Sequence, residues 1–118
     1  MRLGTIFLFI TLTSFGVIAG VQQDVDLLIR QIEQSPCTFI RNGQAYTPHQ
    51  AAEHMRTKWD YAQDKVNDIE VFIDKVASKS WFSGKPYMVE CSDERITSEQ
   101  WLTSLWQQAQ RAPSSKAP

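Results

Sequence analysis

Apolar positions recur along the chain with two periods, 3.6 and 2, and the switches between them lay out its elements. Val25, Leu28, Ile29 and Ile32 fall at i, i+3, i+4 and i+7 and predict an amphipathic helix over residues 22–34. Ser35-Pro36 ends it, because the residue before a proline is pushed out of the helical region. Cys37 to Arg41, then Asn42-Gly43, then Gln44 to Tyr46 read as a hairpin, Asn-Gly being the strongest short signal for a type I′ turn. Thr47-Pro48-His49-Gln50 starts the next helix: Thr47 as N-cap, Pro48 in the first turn, Gln50 closing a capping box. Its stripe of Ala51, Ala52, Met55, Trp59, Ala62 and Val66 carries it to about residue 65 or 66.

A further helix follows, with Asn67 as its cap, Glu70 at the box position and Ile69, Phe72, Ile73 and Val76 on its buried face. One bent helix through both segments is the alternative. Residues 77–86 (ASKSWFSGKP) are dense in Ser, Gly and Pro and predict a loop. Tyr87 to Cys91 reads as a strand and Ser92 to Ile96 as a polar turn. Thr97 with Gln100 opens a last helix with Trp101, Leu102, Leu105, Trp106 and Ala109 facing in. The order α-β-β-α-α-β-α predicts an α+β fold: about four helices packed on a small antiparallel sheet, a hairpin plus one strand.

The first nineteen residues stand apart. Met1-Arg2 is a short positive start, Leu3 to Ile18 carries no charge, and Val17-Ile18-Ala19 precedes Gly20 with the small residues a signal peptidase accepts. A membrane span needs about 20 apolar residues. This run is shorter and diluted by Thr5, Thr11, Thr13 and Ser14, so a cleaved signal peptide over residues 1–19 is expected, with no stable membrane anchor afterwards. Cleavage leaves one domain over 20–110 and a tail over 111–118 expected to be disordered. The net charge of the whole chain is −1, and −2 once Arg2 is gone, which gives no general electrostatic reason to bind nucleic acid or an anionic membrane.

Cys37 and Cys91 both lie in the exported part. In an oxidising compartment one internal disulfide is the expected pairing, two separate thiols or an intermolecular bridge being the alternatives. Closing a loop of about 55 residues contributes about 4 kcal/mol in the chain-entropy model. A domain of about 100 residues has a modest core, so that is a large share of its stability.

The chemistry-bearing residues are few. His49 and His54 are five apart, about 140° around a helix, so they do not share one metal ion, and no metal site is expected. No calcium loop and no glycine-rich phosphate loop occurs, and no cofactor is expected. Ser78, Ser80 and Ser83 share the 77–86 loop with Lys79 and Lys85. A nucleophilic serine needs a base and an oxyanion hole; His54 or a lysine could serve as the base, and Ser80 or Ser83 with His54 is the arrangement that would make a small hydrolase or transferase. The same loop with its free amides near Gly84 suits an anionic or hydroxyl-rich ligand. Trp81 and Phe82 beside it are loop anchors or a recognition patch, and as neighbours in an extended segment both are not expected to be buried.

Phe39-Ile40-Arg41-Asn42-Gly43, Ala52 and His54 with Lys58, and Phe72 to Ser78 continued by Ser80, Ser83 and Gly84-Lys85-Pro86-Tyr87 together resemble the YfeK-like proteins, a bacterial family of small secreted proteins of unknown function. The resemblance spans roughly residues 37–88 and implies a periplasmic location in a Gram-negative bacterium. It supplies no catalytic residues. Its polar members nominate Arg41, His54, Lys58, Ser78, Ser80, Ser83 and Lys85, with Trp81 beside them, as a binding surface if hairpin, second helix and serine loop converge. The expected role is a non-enzymatic binding protein of the envelope, inhibitor-like or immunity-like, whose partner is an envelope protein or cell-wall component. A structural envelope protein without a discrete site is the third possibility.

Overall fold

The computed structural model describes residues 20–111. Residues 1–19, where a signal peptide is expected, and the tail beyond Arg111 lie outside the described residues. Within them the chain runs α1 (Gly20–Gln34), β1 (Thr38–Arg41), β2 (Gln44–Tyr46), α2 (Pro48–Ala62), α3 (Ile69–Val71), β3 (Met88–Cys91), β4 (Glu94–Thr97) and α4 (Ser98–Arg111). A 3₁₀ turn over Gln63–Lys65 extends α2, and a π-helical turn over Phe72–Val76 continues α3. The fold is α+β, as the periodicity predicts.

The sheet is antiparallel in the order β2-β1-β3-β4, so its two hairpins meet along β1 and β3. Phe39 faces Val89 in the register of that seam. One pairing step to one side of Thr38–Glu90 lie Cys37 and Cys91, which form the disulfide with Cα atoms 4.5 Å apart. One step beyond Ile40–Met88 at the other side lie Arg41 and Tyr87. Because side chains alternate across a strand, the inward face of the seam therefore reads Cys37·Cys91, Phe39·Val89, Arg41·Tyr87. That ladder leads from a covalent staple through the apolar core to the polar residues.

The helices cover this face. Val25, Leu28, Ile29 and Ile32 of α1, Ala52, Met55 and Trp59 of α2, and Ile69, Phe72, Ile73 and Val76 are all buried. Trp59 packs edge-on against Phe72 at 5.6 Å, and Phe39 against Trp101 at 5.4 Å, the T-shaped geometry that ring quadrupoles favour. Both capping boxes form. Gln50 N–H donates to Thr47 Oγ1 at 3.1 Å while Thr47 N–H donates to Gln50 Oε1 at 3.0 Å, and Thr97 and Gln100 repeat the pattern. The Asn42-Gly43 turn has both residues at positive φ, 50° and 81°, as a type I′ turn requires.

Several expectations are corrected. Residues 92–96 are not one polar turn. Only Ser92-Asp93 turns, and Glu94–Thr97 is an edge strand that makes the sheet four-stranded, its register pinned by Arg95 donating to Glu90 at 2.7 Å. The signal was faint because just one large apolar side chain, Ile96, stands in that strand. The cap of α3 is Asp68, whose carboxylate accepts from Val71 N–H at 2.9 Å, rather than Asn67. The chain breaks between α2 and α3, so the two do not form one bent helix. The third strand starts at Met88, one residue later than expected. Ala109 is exposed, and Arg111 still belongs to α4.

Candidate functional site

Three segments distant in sequence meet at the Arg41·Tyr87 end of the seam. The hairpin turn contributes Asn42, whose side-chain oxygen accepts from Ser83 Oγ at 2.6 Å and whose amide donates to Ser80 Oγ at 3.5 Å. Helix α2 contributes His54 and Lys58, one turn apart on one face. The 77–86 loop closes over them. The convergence that would make one polar patch is therefore present, and Tyr87 is its hub.

Lys58 is buried, with 5% of its surface exposed. Its ammonium donates to the Lys79 carbonyl and to Tyr87 Oη, each at 2.9 Å. It also lies 4.3 Å from the Trp81 ring centroid and 4.7 Å from that of Tyr87. No carboxylate pairs with it among the described residues, so a carbonyl, a phenol and two aromatic faces replace the water it lost. Burial, and then the Arg41 guanidinium, bring its pKa down to about 8. At neutral pH it is still mainly cationic.

His54 Nε2 lies 3.1 Å from Tyr87 Oη. Burial first, then the charges of Arg41 and Lys58, bring its pKa down to about 4, so the imidazole is neutral near pH 7. The proton positions follow from the inventory of donors. An ammonium cannot accept, so Tyr87 Oη accepts from Lys58, which leaves the phenol proton free to be donated to His54 Nε2. In that arrangement His54 carries its proton on Nδ1. Burial pushes the Tyr87 phenol above its ordinary value, with Arg41 opposing, so the hydroxyl keeps its proton at neutral pH.

Arg41 is half-buried and stacks over the Tyr46 ring at 4.1 Å. Among the described residues no carboxylate forms a salt bridge with it; nearby, on the exposed surface, Arg56 forms an ion pair and His49 a hydrogen bond with Glu33, which they hold below the usual carboxylate range. Arg41, Tyr46 and His54 border an inner recess of about 30 Å³ floored by Ile32, Met55 and Met88. The same three residues border a shallow outer depression of about 650 Å³, rimmed by Gln50, Glu53, Arg56 and Thr57. The recess takes a group the size of a water or a methyl, so anything larger sits in the depression.

The remaining nominated residues divide. Ser80 is buried and structural: its Oγ accepts from the N–H groups of Phe82 and Ser83, each at 3.1 Å. Ser83 ties the loop to Asn42. Ser78 Oγ donates to the Asp74 carbonyl at 2.7 Å, a local helix-end bond outside the cluster. Among the described residues no hydrogen bond joins Ser80 or Ser83 to His54, whose Nε2 is taken by Tyr87. Lys85 is exposed, and Trp81 is half-exposed, its indole N–H donating to the Lys75 carbonyl at 2.8 Å. Phe82 is 95% exposed, so neither aromatic of the loop is a buried anchor. The sequence reading did not nominate Tyr87 as a site residue, although it closes the last matching segment. A tyrosine at a strand's edge reads as core until its hydroxyl is seen to join a buried ammonium to a partly buried imidazole.

A small disulfide-linked α+β domain with a cationic, aromatic-lined cleft is the class that this fold and site define. The chain belongs to a family of unknown function, DUF5329, whose model matches residues 19–110. It is also similar to the uncharacterised protein YfeK of Salmonella typhimurium, 42% identical over 55 residues. That similarity covers 47% of this chain and 46% of the relative, about half of each. No solved structure matches.

Proposed function

We propose that this protein is an exported, non-enzymatic binding module of the bacterial envelope, which holds an acidic group of a partner protein or cell-wall component in the depression beside Arg41. The observation that carries this reading is Arg41 itself: a half-buried guanidinium with no carboxylate partner among the described residues, bordering both the recess and the depression. A guanidinium presents a planar fork of donors suited to carboxylate or phosphate. A bound anion would offset the repulsion that Arg41 exerts on His54 and Lys58. The Cys37–Cys91 disulfide supports an oxidising compartment. The resemblance to YfeK-like proteins supports the periplasm, and Arg41, Asn42, His54, Lys58 and Tyr87 among the residues that carry it converge here.

Acetate, N-acetyl-alanine and inorganic phosphate titrated into the protein, with the His54 ring signals followed by NMR, test the site. Saturable shifts are expected for the wild type, and loss of saturation in Arg41→Ala with an unchanged melting temperature. A wild-type ring that does not respond to any of the three ends this reading. Cell fractionation with a mass measurement of the mature N-terminus tests export, which predicts a chain beginning at Gly20.

A further inference from the structure

The 77–86 loop shows a conflict that its own hydrogen bonds create. Phe82 is 95% exposed, Trp81 48% and the neighbouring Tyr61 82%, with Trp81 and Tyr61 rings 5.7 Å apart. A slack loop would fold such side chains onto the core. This loop is braced instead. Ser80 N–H donates to the Lys85 carbonyl at 3.0 Å, Gly84 N–H to the Ser80 carbonyl at 2.9 Å, and Lys79 and Pro86 form a bridge at the base. Ser80 Oγ takes two amides of the tip, and Lys58 holds the Lys79 carbonyl from below. Gly84, at φ 78°, allows the tight reversal. The result is a stiff, convex turn that keeps Phe82 in solvent. Lys79 and Lys85 stand exposed at its base, without ion pairs among the described residues, and residues 77–86 contain no Asp or Glu. The acid just before it, Asp74, is paired with Lys75 at 3.5 Å.

We propose that this tip is a peripheral membrane contact, in which Phe82 inserts among the headgroups of an anionic phospholipid surface. Trp81 and Tyr61 lie at the interface, where amphipathic rings are favoured, and Lys79 and Lys85 meet lipid phosphates. Charge complementarity and shape select this occupant. A single convex turn does not offer the roughly 800 Å² per side of a stable protein interface, whereas a bilayer receives an isolated side chain. A glycan platform would need open indole faces, and the Lys58 ammonium lies over the Trp81 ring with Tyr61 tilted against it. Among the described residues no helix is long and apolar enough to cross a membrane, so the contact is superficial. It is weak by itself, since one ring and two cations give only reversible binding.

The test is sedimentation of the mature protein with vesicles of phosphatidylcholine alone or with one-third phosphatidylglycerol, for the wild type, Phe82→Ser, Phe82→Trp and Lys79→Gln/Lys85→Gln. All share the same N-terminus, so differences report the loop. Wild type is expected to sediment with the anionic vesicles and to be released by salt. Phe82→Ser should lower the partition about tenfold, Phe82→Trp should preserve it, and each lysine lost should lower it about fivefold. These positions are exposed, so melting temperatures should stay at the wild-type value. Failure of the wild type to sediment, or equal sedimentation of Phe82→Ser, overturns the proposal. So does Phe82-dependent binding to isolated cell-wall sacculi without vesicle binding, which would make the tip a glycan surface. Arg41→Ala should bind vesicles normally, which keeps this outcome separate from that of the cleft.

Discussion

The β1–β3 seam has two ends built on the same pairing and finished in opposite ways. At one end Cys37 and Cys91 close it with a covalent bond. At the other, Arg41 and Tyr87 open it to a cleft, where a buried ammonium is held by a phenol, a carbonyl and two rings rather than by a counter-ion. Phe39 and Val89 separate them by one row of core. The disulfide end lowers the entropy of the unfolded chain and asks nothing of its surroundings. The polar end carries uncompensated positive charge, which is costly in a small core unless a ligand or a braced loop accompanies it. A small fold can carry that cost at one end when the other is stapled.

The largest test of this contrast is removal of the staple. Cys37→Ala/Cys91→Ala is expected to lose about 4 kcal/mol of unfolding free energy in a denaturant titration. Anion binding by whatever fraction remains folded should be unchanged, because Arg41 and Tyr87 stand two rows away. A loss of affinity in step with stability would show that the ends are not separable.

Lys58→Ala comes next, at about 2–3 kcal/mol, because it leaves the Lys79 carbonyl and Tyr87 Oη without their donor and opens a void. Lys58→Met fills the same volume without charge and should cost about 1 kcal/mol or less. If Met is as damaging as Ala, the ammonium's hydrogen bonds matter more than the burden of its charge.

Acid should act at the polar end through His54, beside a separate surface contribution from Glu33, whose carboxyl is held below its usual range. His54 has its pKa lowered from 6.5 to about 4, so the unfolded chain binds its proton more readily than the folded one. Its contribution is fully present above pH 6.5 and is lost as pH falls through 4, by about 2 kcal/mol after solvent screening. Thermal melts at pH 7 and pH 4 should differ more for the wild type than for His54→Gln. Equal differences would mean that other groups carry the acid sensitivity.

The smallest effects lie in the two turns that flank the seam. Gly43→Ala places a side chain at φ 81° and should destabilise by about 1 kcal/mol. Ser92 already sits at φ 60°, so Ser92→Gly should stabilise by about 0.5 kcal/mol. Chemical denaturation of the pair measures both signs.

Local chemistry was legible wherever one residue type had one physical use. Asn42-Gly43 could only turn tightly, Thr47 with Gln50 and Thr97 with Gln100 could only cap, and Val25 through Ile32 could only face a core. The cysteine pair even indicated that the strands after Pro36 and Pro86 are joined. Strand β4 escaped notice because an edge strand of Glu, Arg, Ile and Thr gains its identity from pairing with β3, a non-local contact.

The candidate site divides along the same line. Arg41, His54, Lys58 and the serine loop could be nominated from the chain. Their roles could not, because a lysine's meaning depends on what water is replaced by. Only the register that sets Tyr87 opposite Arg41 made Tyr87 a hub, turned Ser80 from a candidate nucleophile into a brace, and left Phe82 in solvent. Periodicity and caps are satisfied within a few residues, so sequence alone determined the helices, the first hairpin and the α+β class. Hydrogen bonds between residues 21 to 41 positions apart belong to the folded arrangement, and tertiary structure alone decided which polar groups are paired and which await a partner.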